Sequence, residues 1–150
     1  MSWQDYVDQQ LIATGKVEEG FIVGKDDGSV WACTPEFMPR MYPAKIAQED
    51  GTDMEQTVNE ASNLVAIMRN PSEYRSATGG QGLRINGEKY MVLRDLEDTL
   101  YAGKTSGGAC LVVTNQCIIC GTWNKEKGMG SGNCNVAVEA LGDWLKESGF

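Results

Sequence analysis

Residues 83–94, Leu83-Arg84-Ile85-Asn86-Gly87-Glu88-Lys89-Tyr90-Met91-Val92-Leu93-Arg94, spell a β-hairpin. Asn86-Gly87 tolerates the positive φ angles that a tight two-residue turn requires, and strand-favouring side chains flank it. Leu83–Ile85 and Lys89–Arg94 are therefore expected to pair. Downstream, Thr99–Ala102 is a short strand, and Gly103 to Gly108 is expected to be a flexible link. Ala109–Thr114 and Cys117–Trp123 form a further hairpin about Asn115-Gln116. Upstream, Phe21–Gly24 and Val30–Cys33 are joined through Asp27-Gly28, another turn signal.

Helical spacing brackets these strands. Ser2 is a plausible N-cap, Asp5 suits the first turn, and Trp3, Tyr6, Val7 and Leu11 follow at helical intervals up to Gly15. Pro35, Pro39 and Pro43 are expected to bar regular structure until about Ala44. Val58, Ala61, Leu64, Val65 and Met68 predict an internal helix from about Met54 to Arg69, closed by Asn70-Pro71. Ser72 to Gly82 reads as an exposed loop. Val138, Leu141 and Leu145 mark the core stripe of a last helix, about Asn133 to Ser148. Helix, two strands, helix, a run of antiparallel strands and a helix give an α+β domain, an antiparallel sheet with helices packed over it. One domain over residues 1–150 is expected, since 150 residues suit a single core.

The aromatic residues gather at the chain ends: Trp3 and Tyr6 early, Trp31 after a turn, Trp144 and Phe150 late. If the terminal helices pack side by side, these five rings make one surface groove. Flat rings suit proline-rich segments, whose extended helix is already ordered before binding. The plainer reading, that these residues serve the core, fits Val7 and Leu11 better than Trp3 in the first turn.

Composition excludes several classes. A net charge of −8 argues against a duplex-DNA binder and weakens binding to anionic membranes. The chain has no histidine, which removes the commonest general base, zinc ligand and nucleophile activator. Five cysteines, an odd number without a regular framework, fit reduced thiols and a cytosolic placement, as does an opening without a signal peptide. Cys117 and Cys120 stand on a strand at a spacing that puts them on opposite faces, so they are not expected to share a metal. Gly103-Lys104-Thr105 lacks the first glycine of a phosphate loop, since Asp98 stands there, and it precedes a strand instead of a helix. Glu18-Glu19, Asp26-Asp27 and Glu49-Asp50 read as solvated turn acids. Lys89, Arg94, Lys104, Lys125 and Lys127 offer a face for an acidic partner, or edge lysines that guard a strand. No catalytic residue, metal site or cofactor is expected, and the chain reads as a binding protein and not an enzyme.

Several motifs, in order along most of the chain, resemble the profilin family. They are Ser2-Trp3-Gln4-Asp5-Tyr6-Val7-Asp8, the Trp31 strand, Lys89-Tyr90-Met91-Val92-Leu93-Arg94-Asp95, Gly103-Lys104-Thr105-Ser106-Gly107-Gly108, Gly132-Asn133-Cys134-Asn135 and Val138-Glu139-Ala140-Leu141-Gly142-Asp143-Trp144-Leu145. The resemblance implies a cytoplasmic, cytoskeletal regulator of actin polymerisation. Such a protein binds monomeric actin, delivers it to barbed ends, promotes its nucleotide exchange and grips proline-rich proteins such as formins. It further implies terminal helices lying antiparallel on one face of the central sheet, with short helices on the other. Trp3, Tyr6 and Trp31 match the family's polyproline aromatics, with Trp144 and Phe150 at the remaining groove positions. The actin positions carried over are Lys89, Met91, Val92, Leu93, Arg94, Lys104, Met129, Asn135 and Glu139. Glu139 stands where some relatives carry tyrosine, Ser72 to Gly82 is longer than in compact members, and phosphoinositide headgroup binding carries over only weakly at this net charge. A small α+β adaptor or ligand-sensing domain without actin binding is the alternative. It would use a cavity or sheet edge and keep its binding without Trp3 and Trp144.

Overall fold

The computed structural model describes residues 2–150. Ser2 and Asp5 form a reciprocal cap. The Ser2 Oγ accepts from the Asp5 N–H, and the Asp5 carboxylate accepts from the Ser2 N–H, which holds the Asp5 carboxyl below its ordinary range. One α-helical turn, α1 (Trp3–Asp5), then widens into a π-helical turn (Tyr6–Leu11) and tightens to a 3-10 turn (Ile12–Thr14). Gly15 stops it in the left-handed conformation.

Seven strands follow in one antiparallel sheet, ordered β2-β1-β9-β8-β7-β6-β5. They are β1 (Gly20–Gly24), β2 (Val30–Cys33), β5 (Leu83–Ile85), β6 (Glu88–Leu96), β7 (Thr99–Lys104), β8 (Gly107–Val113) and β9 (Cys117–Asn124). Between β2 and β5 in sequence lie a two-stranded ribbon, β3 (Met41–Ala47) and β4 (Asp53–Asn59), and the helices α2 (Glu60–Arg69) and α3 (Tyr74–Ala77). The last helix is α4 (Ser131–Glu147).

The central strands are buried on both faces, so their sequences run almost continuously apolar. Alternation sends Ile22, Cys110, Val112, Cys117 and Ile119 to a core under the terminal helices, with Val7, Leu11, Val138 and Leu145. Phe21, Leu111, Ile118 and Cys120 go to a second core under α2, with Leu64, Ile67 and Leu83. Cys117 and Cys120 thus face apart, as their spacing on a strand requires. α4 lies close on the sheet because two glycines admit it. A Cβ on Gly121 would stand 2.5 Å from Val138, and one on Gly142 would stand 2.7 Å from Val112.

Four expectations need correction. The helix expected from Met54 begins at Glu60, with Asn59 as its cap, and Val58 belongs to β4. Regular structure resumes at Met41 despite Pro43, because a two-stranded ribbon has only edge strands, the setting in which proline is tolerated. Gly103 to Gly108 is not a flexible link. Gly103 and Lys104 finish β7, Gly107 opens β8, and only Thr105-Ser106 turn between them. Residues 72–82 hold the end of a 3-10 turn (Pro71–Glu73) and all of α3, and Thr78 and Gln81 are buried.

Glu60, nearly fully buried, ties these parts together. Its carboxylate accepts from the Arg40 N–H (2.9 Å), the Tyr42 hydroxyl (2.7 Å) and the Gly87 N–H (2.8 Å). Burial, with Glu60 as hydrogen-bond acceptor, pushes the Tyr42 hydroxyl up to about 12. The three donors replace the water that burial removes from this side chain, and they join the ribbon, α2 and the β5–β6 turn.

Candidate functional site

The five terminal aromatics converge. Trp3 meets Trp31 at 4.9 Å between ring centroids, Phe150 at 5.4 Å and Tyr6 at 5.5 Å, and Tyr6 meets Trp144 at 5.4 Å. The rings are tilted or edge-on, the arrangements that aromatic quadrupoles favour. A β-bulge brings Trp31 in. Ala32 pairs with Ile22 and Val30 with Val23, leaving Trp31 as the extra residue on β2. Consecutive side chains, Trp31 and Ala32, therefore both join the core beneath the terminal helices. Phe150 is fixed through its backbone, since Leu145 O accepts from its N–H (2.8 Å) and its carbonyl accepts from the Thr114 hydroxyl (3.0 Å).

The rings are covered unequally. Tyr6 is buried, Trp3, Trp31 and Phe150 are half-buried, and Trp144 keeps 48% of its surface. Trp3 is itself partly buried, so the core reading and the surface reading of this set each hold for part of it. Beside the cluster, the Gln4 side-chain amide donates to Cys33 O (2.9 Å) and accepts from Cys33 N–H (3.3 Å). Past Trp144, a groove of about 440 Å³ continues between the terminal helices, with Tyr6 and Trp144 at one end and Lys16 and Val136 among its other walls.

The second set of predicted positions lies on and around β6, and the structure sorts it by face. Arg94 pairs with Tyr101, and Met91 with Gly103. A second β-bulge falls between Val92 and Arg94, and the Leu93 side chain lies over Gly103, 3.0 Å from where a Cβ would stand. Met91, Leu93 and Arg94 thus share the sheet face that carries α4, and Lys89 has the same parity on the strand. Met91 (68%), Leu93 (63%) and Leu96 (50%) are exposed, an apolar strip of the kind that marks contact surfaces.

Glu139, one turn beyond Asn135 on α4, accepts a short hydrogen bond from the Tyr101 hydroxyl. That bond, then burial, pushes the Tyr101 hydroxyl up. The Arg94 guanidinium covers the Tyr101 ring at 5.0 Å. Arg94, Tyr101 and Glu139 therefore form one bonded unit between sheet and helix. Met129 and Asn135 stand half-exposed, one just before α4 and the other at the start of its second turn.

Val92 and Lys104 do not join this face. Val92 packs half-buried against the α2-side core. Lys104 pairs with Glu88 and lies 5.2 Å from the Tyr90 ring centre on that same side. Lys127 is likewise paired with Glu18 (3.2 Å), so the basic cluster is partly neutralised, and outside it Lys146 pairs with Asp98. Tyr101 is the residue that sequence reading missed. Its signal was weak, a single aromatic in a short strand. Trp123, whose indole crosses Gly108 at 2.7 Å from a would-be Cβ, was read only as a strand end.

Near Lys104 a polar cleft of about 300 Å³ is lined by Glu18, Glu19, Glu88 and Tyr90. Burial, and then the neighbouring Glu18, pushes the Glu19 carboxyl up. Among the described residues no cluster suits a metal ion. Cys110, Cys117, Cys120 and Cys134 are buried and their thiols pushed up by that burial, the opposite of activated nucleophiles. No helix among the described residues is long and apolar enough to cross a membrane. Two partly exposed surfaces thus stand out on the α4 side of the sheet, the ring cluster and the β6–α4 flank.

The profilin family model matches residues 1–150. Profilin-1 of Dictyostelium discoideum is 33% identical over 150 residues, covering both chains completely. The crystal structure of Acanthamoeba castellanii profilin II superposes with a TM-score of 0.76 at 28% identity, covering 99% of this chain and 100% of that one. Mouse profilin IIa, solved in complex with a double repeat from the FH1 domain of mDia1, shares the fold at 20% identity. Its TM-score is 0.59, with complete coverage of both chains.

Proposed function

The chain belongs to the profilin family of actin-binding regulators, and we propose that it divides that work between two surfaces, the ring cluster for proline-rich segments and the β6–α4 flank for monomeric actin. One observation carries the reading: five rings from three separate parts of the chain meet in one partly open row. Proline has no backbone N–H, so a proline-rich ligand presents carbonyl acceptors and flat hydrophobic faces. Indole N–H groups and aromatic rings answer both.

The flank supplies the complementary half. Met91 and Leu93 give exposed apolar contact, Lys89 and Arg94 give positive charge, and Tyr101 and Glu139 hold Arg94 in place. Met129 and Asn135 extend the surface to the start of α4. Val92 contributes by supporting the strand, and Lys104 by pairing with Glu88. Across the sheet β2 and β6 stand five strand steps apart, roughly 24 Å at the usual strand spacing, and α4 bridges the two surfaces, with Glu139 on one and Trp144 on the other. A proline-rich segment and an actin monomer can therefore be held together, which suits delivery of monomers to barbed ends and nucleotide exchange on the bound actin. The protein works in the cytoplasm and cytoskeleton as one domain, by binding and not by catalysis. Phosphoinositide headgroups are weak ligands here, because three of its lysines are already paired with acids.

The test is a decaproline titration followed by tryptophan fluorescence, beside an actin-monomer sequestration assay, with Trp3→Ala run in both. Saturable decaproline binding lost in the variant, with sequestration kept, is the expected result. Loss of both in a folded variant refutes separate surfaces. An intact protein that binds neither ligand is the adaptor alternative.

A further inference from the structure

Trp31, Trp3, Tyr6 and Trp144 succeed one another in a row, and the row does not end in solvent. Tyr6 and Trp144 are also walls of the groove of about 440 Å³ between the terminal helices. Beyond them its surface is made by small or exposed apolar residues of α4, Ala140 and Val136, the latter 57% exposed. Opposite stand Thr14 and Lys16. Lys16 makes no ion pair among the described residues. On a chain of net charge −8 it places a single positive charge at a trough whose α4 wall is apolar and whose opposite wall also carries the neutral polar Gln10 and Thr14.

We propose that this groove is a second subsite for the proline-rich ligand, which takes about four residues beyond the prolines on the rings: aliphatic side chains first, then a carboxylate at Lys16. The inference rests on the ring cluster being a proline site, and its argument is continuity, since the same two rings belong to both. Val136 and Trp144 are eight positions apart on α4, a span of roughly 12 Å at 1.5 Å per residue. An extended polyproline-type chain covers that in about four residues at 3.1 Å each. The narrow helix face at Ala140 leaves room for a branched aliphatic side chain, while a further proline would bury less surface and offer Lys16 no charge. Affinity for prolines alone would come from the rings, and discrimination among proline-rich partners from the residues that follow.

The test compares three peptides by calorimetry: decaproline, six prolines followed by Leu-Pro-Val-Glu, and Glu-Val-Pro-Leu followed by six prolines. One of the two tailed orders is expected to bind about tenfold tighter than decaproline, as partial burial of two aliphatic side chains in an open groove, offset by the ordering of the tail, would give. Ala140→Gln, a good helix former that fills the trough, is expected to abolish that gain and leave decaproline binding unchanged. Lys16→Glu is expected to remove the part of the gain that depends on the glutamate. Both tailed peptides within about twofold of decaproline overturn the subsite and leave the ring cluster standing. Failure of decaproline itself to bind overturns the reading on which the subsite rests. Concentration-dependent dimerisation in sedimentation, abolished by Ala140→Gln, assigns the groove to a second copy and also overturns the proposal.

Discussion

The two surfaces are built with the same device at nearly opposite sides of one sheet and then held in different ways. On β2 a bulge delivers Trp31 and Ala32 to one face, and on β6 a bulge delivers Leu93 and Arg94 to that same face. A regular strand would have sent one of each pair to the other core. At β2 the delivered side chain is held by ring packing, Trp31 against Trp3 at 4.9 Å, within a cluster of four such contacts. At β6 it is held by charge and hydrogen bonding, Arg94 over Tyr101 and Tyr101 to Glu139. Ring packing is insensitive to salt and gives a rigid, shape-reading surface. Exposed charge contacts are screened, and they steer association more than they hold it.

The sharpest way to break this comparison is Trp3→Ala. Trp3 touches three of the other four rings, so decaproline affinity should fall about 30–100-fold, the range of a central aromatic hot spot. Raising salt should leave the wild-type proline affinity nearly flat. Arg94→Glu should weaken actin-monomer binding about tenfold in sequestration assays, and the wild-type affinity itself should fall as salt rises. Salt-independent actin binding would mean that the flank works through Met91 and Leu93 instead. Glu60→Gln lies outside both surfaces and serves as the control. Turning an NH2 toward three donors should cost about 1 kcal/mol in urea unfolding, with both affinities unchanged. Tyr101→Phe should have the smallest effect, about twofold on actin binding, because its hydroxyl positions Arg94 and Glu139 without needing to touch the ligand. A larger loss would make Tyr101 a direct contact.

The ring cluster was legible because its determinants are local: a capping pair at Ser2 and Asp5, helical spacing from Trp3 to Leu11, and a turn just before Trp31. The sheet was legible from Asn86-Gly87 and the apolar runs. The ribbon was not, because Val58 falls in register with Ala61, Leu64 and Val65, so a strand end and a helix read as one helix. Pro43 also masks a strand that only its edge position permits. Glu60 drew no reading, since nothing in sequence shows that Arg40, Tyr42 and Gly87 will surround it. For the flank, sequence supplied the residues but not their sides. The bulge at Leu93 breaks simple alternation, and Val92 and Lys104 turn away from a surface to which the family resemblance had assigned them.

The Gln4 amide on Cys33 has a consequence for the solution behaviour of the protein. β2 is a rim of the sheet, and a rim of unsatisfied peptide groups invites another chain to add itself as the next strand. Gln4 occupies both the N–H and the C=O of Cys33 with a side chain that offers no onward strand. It terminates the sheet as a chain stopper terminates a polymer, next to the partly exposed ring cluster. Losing it would open a seed for fibrillar growth where hydrophobic rings are already at hand.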